Sequence, residues 1–180
     1  SGFFFITLWQ SMILTESTMK YILTFILSFL SFLVCSQNIT ITDIPTIDQL
    51  PVNAIHRVFR DSEGYMWYGT EGGGLCRDDG YMVKVFRSDF KNPGILENNS
   101  VTCITEDGEG KIWFGTKRGA YILSKTDYEI RALADETIKS WTITTMTATS
   151  DGTIWISTNR HLFRYNESGE RTGKYILKWK

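Results

Sequence analysis

Asp61, Asp107 and Asp151 are the residues whose type and recurrence first suggest chemistry, because carboxylates gathered at one site can serve as general acid and base. Asp61 and Asp107 stand three residues before Gly64 and Gly110, and Asp151 stands one before Gly152. That recurrence argues against catalysis. A residue repeated in every copy of a unit is spread through the fold instead of converging, and aspartate at a turn accepts local backbone N–H groups. We read all three as turn residues. His56 and His161 occupy different parts of their repeats and have no acidic partner in sequence, so they do not read as an acid/base pair. The cysteines, Cys35, Cys76 and Cys103, form no Cys-x-x-Cys, and no His-x-x-x-His is present. We expect no catalytic residue, no metal ligand and no cofactor.

The elements that position these residues come from self-similarity. Asp61-Ser62-Glu63-Gly64-Tyr65-Met66-Trp67-Tyr68-Gly69-Thr70 returns as Asp107-Gly108-Glu109-Gly110-Lys111-Ile112-Trp113-Phe114-Gly115-Thr116. It returns again as Ser150-Asp151-Gly152-Thr153-Ile154-Trp155-Ile156-Ser157-Thr158. The glycines recur after 46 and then 42 residues. An alternating stretch precedes each copy (Ile55 to Phe59, Val101 to Thr105, Ile143 to Thr147) and another follows it (Leu75 to Arg77, Ala120 to Leu123, Leu162 to Tyr165). One repeat therefore reads as strand, glycine turn, tryptophan strand, turn, strand, polar turn and outer strand. Gly64, Gly110 and Gly152 fall where a tight hairpin needs positive φ.

Strand alternation puts Trp67 with Gly69, Trp113 with Gly115, and Trp155 with Ser157 on one face. A large ring beside a small residue is a packing device between neighbouring sheets, and burying such a ring contributes roughly 2 to 3 kcal/mol. Four short strands per 40 to 50 residues is the β-propeller range, and no 3.6-residue periodicity competes with it. The fold expected is all-β: a partial propeller of about three four-stranded blades, at 54–98, 99–140 and 141–180, after a strand or linker at 37–53. Asp89 to Ser100, with Pro93, Gly94, Asn98 and Asn99, reads as a turn-rich connector. Propellers close with 4 to 8 blades, so this reads as the front of a longer protein, with Asn38 to Ile47 a candidate strand for completing its last blade. An open sheet edge after the third blade would favour self-association.

Of 180 residues, 42% are hydrophobic and 14% aromatic, enough for an ordered core. Nineteen Lys and Arg against twenty Asp and Glu give a net charge of -1, so no basic field exists to collect nucleic acid.

At the N-terminus, Met19 and Lys20 precede an apolar run from Tyr21 to Val34 interrupted by Thr24, Ser28 and Ser31. This fits a secretory signal peptide over 19–36, forming a helix and cut before Gln37, and it falls short of the roughly 20 apolar residues of a membrane span. Cys35 follows Val34 where a lipidated cysteine wants a small residue, which disfavours a lipoprotein. Residues 1–18 lack an initial methionine and read as translated sequence upstream of Met19. An exported chain meets an oxidising compartment, yet Cys76 and Cys103 hold different repeat positions, and we expect no bridge between them.

The run Ile55 through Asp61, with Gly64, Trp67, Gly69-Thr70, Gly73-Gly74-Leu75 and Asp79-Gly80, resembles the two-component regulator propeller repeat. That repeat belongs to the extracytoplasmic sensors of hybrid two-component systems of Bacteroidetes. Leu50-Pro51-Val52-Asn53 and Asp79-Gly80-Tyr81 are similar to the first blade of those sensors, and the resemblance covers about residues 50–178. The third copy departs from it: Thr149 stands for Asp, Ser157 for glycine, and Arg160-His161 for Gly-Gly. The resemblance implies a periplasmic, inner-membrane-anchored sensor whose propeller meets further blades and a β-sandwich module, and which works as a homodimer. Its histidine kinase, receiver and DNA-binding domains would lie beyond this chain, and its ligands would be oligosaccharides.

Two other classes compete. Sialidase-type propellers carry Ser-x-Asp-x-Gly-x-x-Trp, which shares Gly-x-x-Trp with these repeats, but here the Asp lies three or one before the Gly where two are required. A propeller lyase with a central histidine is more distant. A plain interaction scaffold is the third reading. Trp141, Tyr128 and Trp179 fall outside the repeat register and are the aromatics freest to stack on a sugar, although packing of outer strands is the commoner use.

Overall fold

A computed structural model describes residues 19–28, 44–91 and 93–177. The chain divides into two compact units, Ser1–Thr42 and Asp43–Lys180. In the first, residues 19–28 form an exposed helix in which the Thr24 hydroxyl donates to the Lys20 carbonyl at 2.9 Å. No helix among the described residues is long and apolar enough to cross a membrane. Residues 1–18, the cleavage site, Cys35 and Trp179 lie outside the described residues.

The second unit holds three antiparallel sheets of four strands, each a simple meander. The first is β1 (Ile55–Arg60), β2 (Met66–Thr70), β3 (Leu75–Asp78) and β4 (Val83–Phe86). The next is β5 (Val101–Glu106), β6 (Ile112–Thr116), β7 (Ala120–Leu123) and β8 (Ile130–Ala132). The last is β9 (Ile143–Ala148), β10 (Ile154–Thr158), β11 (His161–Tyr165) and β12 (Arg171–Ile176). The first strands lie side by side, β1 against β5 and β5 against β9, so the sheets stand radially about their leading strands. A meander gives each blade two ends. The first and third turns lie at one, called here the hairpin end, and the second turn and the inter-blade connector lie at the other, the connector end.

Gly64, Gly110 and Gly152 take φ of 95°, 80° and 78° in the first turns. From there the strands alternate faces. Trp67, fully buried, packs with Leu75, Phe86 and Leu96 against Val101, Ile104, Ile112 and Phe114, which joins blade 1 to blade 2. Trp113, also fully buried, packs with Cys103 and Ile122 against Ile143, Met146 and Phe163, which joins blade 2 to blade 3. β6 is therefore buried at every residue, whereas in β10 only Ile154, Ile156 and Thr158 are. Trp155 and Ser157 occupy the opposite face, and Trp155 is half-buried with its ring 5.8 Å from Tyr175. The inter-blade role expected for all three tryptophans thus holds for two. Trp155 differs because no blade among the described residues lies beyond the third.

Where a Trp faces the next blade, its companion glycine admits that blade's leading strand. A Cβ on Gly69 would stand 2.9 Å from Val101 Cγ1, and one on Gly115 would stand 2.6 Å from Ile143 Cβ. The second-turn Gly74 is tighter still, its φ being 92° with the Phe86 carbonyl oxygen 2.2 Å from where a Cβ would sit.

The expected strand at Asn38 to Ile47 is described only in its last residues, which are not extended. Its first part, 38–43, is outside the described residues, and from Ile44 the chain turns into a short 3-10 helix, Ile47–Gln49. This 3-10 turn is a second helical stretch besides residues 19–28. Pro45 lacks an N–H and fixes φ, which suits the turn closed by Ile47 N–H donating to Ile44 O at 3.1 Å. The segment is tied to blade 1 by side chains: the Thr46 hydroxyl donates to buried Asp78, Gln49 Oε1 accepts Val83 N–H at 3.0 Å, and Leu50 packs on Tyr68 and Cys76.

Cys76 and Cys103 are free thiols in separate cores. Burial pushes Cys76 up to about 12 and Cys103 up to about 11. Both should resist alkylation at pH 8 in the native chain and label fully once it is unfolded, as peptide mass spectrometry after iodoacetamide would read. Rapid native labelling of either would contradict this packing.

Candidate functional site

At the hairpin end, each recurrent aspartate has one job. Asp61 Oδ1 accepts the N–H groups of Glu63 and Tyr65 at 3.0 and 2.9 Å, and its Oδ2 accepts the Trp67 indole N–H at 2.8 Å. Asp107 does the same for Glu109, Lys111 and Trp113, at 3.0, 2.9 and 2.6 Å. One carboxylate thus closes the turn and orients the indole six residues on. In blade 3 Thr149 takes the place: its hydroxyl donates to the Thr153 carbonyl at 2.9 Å, while Asp151 stays exposed and receives the Thr153 N–H at 3.1 Å. The three aspartates belong to three separate turns.

Across the first seam at this end lies a network that the repeat pattern does not announce. Lys125, from the third turn of blade 2, bonds Glu106 Oε1 at 2.6 Å and Glu63 Oε1 at 2.9 Å, with Asp61 Oδ2 at 3.6 Å. Ser62 N–H and hydroxyl both donate to Glu106 at 2.7 Å. Partial burial works against the Lys125 charge, but the hydrogen-bonded carboxylates of Glu106 and Glu63 reverse that and hold its pKa above the usual lysine value. Every group is paired, so the network reads as a clamp between blades.

The connector end is different. Here the repeat threonines close the second turns: the Thr70 hydroxyl donates to Gly74 O at 2.7 Å, Thr116 to Arg118 O at 2.6 Å, and Thr158 to His161 O at 3.3 Å. The turns in turn grip the connectors, Gly74 N–H donating to Asn99 O at 2.8 Å and Gly119 N–H to Trp141 O at 3.1 Å. This scaffold carries Glu71, which accepts from Lys117 and from the Ser100 hydroxyl at 3.1 Å. His56 Nε2 lies 3.0 Å from Glu71 Oε2 without the alignment of a hydrogen bond. The Lys117 ammonium holds the Glu71 carboxyl below the usual range, with desolvation opposing and Ser100 assisting. His56 therefore has an acidic neighbour that sequence reasoning missed, because the two meet only when the end of β2 folds back beside the start of β1.

At the connector end of blade 3, where the Thr142 hydroxyl donates to Lys117 O at 3.2 Å, a cleft of ≈ 200 Å³ is lined by Trp141, Thr142, Thr158, Asn159 and Arg160. The Trp141 ring lies 4.7 Å from the His161 ring, whose desolvation, with Lys174 and Arg160 nearby, lowers its pKa. His161 Nδ1 has no hydrogen-bond partner among the described residues. The second off-register aromatic, Tyr128, is instead packing: its ring lies tilted 5.7 Å from that of Phe86, under Lys84, and it takes φ of 61° in the third turn of blade 2. Among the described residues no three His, Cys, Asp or Glu side chains converge as a metal ion would need.

Three radial four-stranded meanders, the first two each inserting a tryptophan at the seam that follows, define a segment of β-propeller. The profile of the two-component regulator propeller repeat matches residues 49–72 and 95–118, which are the leading halves of the first two repeats. The third repeat, with Thr149 and Ser157, lies outside the matched residues. Solved structures share the fold. An extracellular domain of a one-component system from Bacteroides thetaiotaomicron is 23% identical with a TM-score of 0.59, over 78% of this chain and 21% of that one. An extracellular domain of a hybrid two-component system from the same organism is 20% identical with a TM-score of 0.55, over 78% and 17%. Virginiamycin B lyase from Staphylococcus aureus is 20% identical with a TM-score of 0.58, over 71% and 43%. The chain thus spans less than half of each. No curated protein sequence matches it.

Proposed function

We propose that this chain is the leading part of a periplasmic sensor propeller of a hybrid two-component regulator, and that it takes part in recognising oligosaccharides without catalysing a reaction on them. The observation that carries the ligand class is Trp141. It stands outside the repeat register, is not consumed by a blade core, and lines a cleft with the polar side chains of Thr142, Thr158, Asn159 and Arg160. An aromatic face beside a few fixed polar groups is the chemistry by which proteins hold sugar rings. Export rests on the signal-like run from Met19 to Val34. The matched repeats support a sensor role, with a membrane-anchored histidine kinase, further blades and a β-sandwich module as partners in a homodimer.

Titration of the chain with a panel of neutral and acidic oligosaccharides, read by calorimetry, should give saturable binding that Trp141→Ala weakens at least tenfold. Far-UV circular dichroism of the variant should be unchanged. No saccharide binding at millimolar concentration would remove the reading.

A further inference from the structure

The charges around the cleft are unequally partnered, and that inequality says something about its ligand. Carboxylates of the second turns and connectors are engaged: Glu71 by Lys117 and Ser100, and Glu97 and Glu136 by Lys139 at 3.9 and 3.7 Å. Two guanidiniums are not. Among the described residues Arg160, which lines the cleft, and Arg118, one residue before the Gly119 N–H that holds Trp141, make no side-chain hydrogen bond or ion pair. Both sit in second turns whose threonines fix the backbone: Thr116 Oγ1 accepts the Arg118 N–H at 2.9 Å, and Thr158 Oγ1 accepts the His161 N–H at 3.2 Å. A guanidinium offers a planar fork of donors that matches a carboxylate or sulfate in two parallel hydrogen bonds. A volume of ≈ 200 Å³ lies below the roughly 300 Å³ of pockets for larger ligands, and suits one ring.

Resting on the oligosaccharide reading, we propose that the Trp141–Arg160 cleft selects a sugar residue bearing an anionic group, a uronate carboxylate or a sulfate ester. The ring lies on the Trp141 indole and the anion meets the Arg160 fork, with Asn159 and Thr142 available to ring hydroxyls. Arg118 adds positive field from the neighbouring turn. In the repeat, Arg160 stands where the first two copies carry Gly73 and Arg118, so the second turns of blades 2 and 3 both present an arginine at this position.

The test titrates the full chain with trigalacturonate, its fully methyl-esterified form, and a sulfated chondroitin disaccharide. The acid should bind at least tenfold more tightly than its neutral ester, and R160Q should remove that preference. A stronger response to the chondroitin disaccharide than to the same disaccharide without its sulfate would assign the anion as sulfate, and equal responses to the two would assign it as carboxylate. Arg160 is exposed, so R160Q should melt with the native chain, which separates loss of the fork from loss of the fold. Equal binding of acid and ester, or an R160Q variant that keeps the preference, would overturn the anion proposal and leave the oligosaccharide reading intact. Failure of all three sugars and of neutral oligosaccharides would remove both.

Discussion

Replacing Trp113 by alanine should destabilise the chain by about 4 kcal/mol, whereas the same change at Trp155 should cost about 1 kcal/mol. Both tryptophans hold the same place in their repeats, so the difference isolates environment from sequence. Trp113 is fully buried among residues of two blades, and its indole N–H is the partner of Asp107 Oδ2 at 2.6 Å. Its removal opens a cavity between sheets and leaves a buried carboxylate oxygen without its donor, and these effects act in the same direction. Trp155 is half-buried, is held by no aspartate, and touches Tyr175. A domain's whole stability is about 5 to 15 kcal/mol, so the first substitution should leave little of the urea transition and the second most of it. Equal midpoint shifts for the two variants would contradict the seam described for blades 2 and 3.

Gly115→Ala should cost about 3 kcal/mol, the largest effect expected from adding one methyl group to a seam. The added carbon would lie 2.6 Å from both Cβ and Cγ2 of Ile143 and 2.7 Å from Cys103 Sγ, so blade 3 must move outward or β5 must shift. None of these atoms is the loose end of a long side chain. The corresponding change at Gly69 meets Val101 Cγ1 at 2.9 Å and should cost less. Ser157, in the third copy, shows that a side chain is admitted where no further blade packs among the described residues. A double-mutant cycle identifies the contact: Ile143→Ala should recover part of the loss in Gly115→Ala, and additive effects of the two would show that the clash lies elsewhere.

The architecture was legible because it rests on local periodicity. Alternation marked the strands, the glycines marked first turns that do take positive φ, and the Trp-x-Gly pairs marked the seam face. What escaped depends on contacts distant in sequence or on the ends of the repeat array. Aspartate was read as a turn residue, yet its second oxygen also holds the indole, a contact that needs the hairpin's curvature to be seen. The pairing of His56 with Glu71 needs β1 and β2 in register. Lys125 reaches Glu63 across more than sixty residues, and no motif signals that. Pro45 was passed over when a strand was expected there, and the half-buried state of Trp155 follows from neighbours rather than from its own repeat. Trp141, singled out by standing off register, lines a cleft, whereas Tyr128, chosen on the same ground, packs beside Phe86.

The aspartate that grips its own tryptophan has a consequence for how the chain reaches this arrangement. Partners six residues apart close quickly and at little entropic cost, so a nascent hairpin can aim its indole before any neighbouring sheet exists. Each blade then offers a finished docking surface to the one emerging behind it, and assembly proceeds in order along the polypeptide. Blade 3, with threonine in that position, must wait for its surroundings to settle its ring.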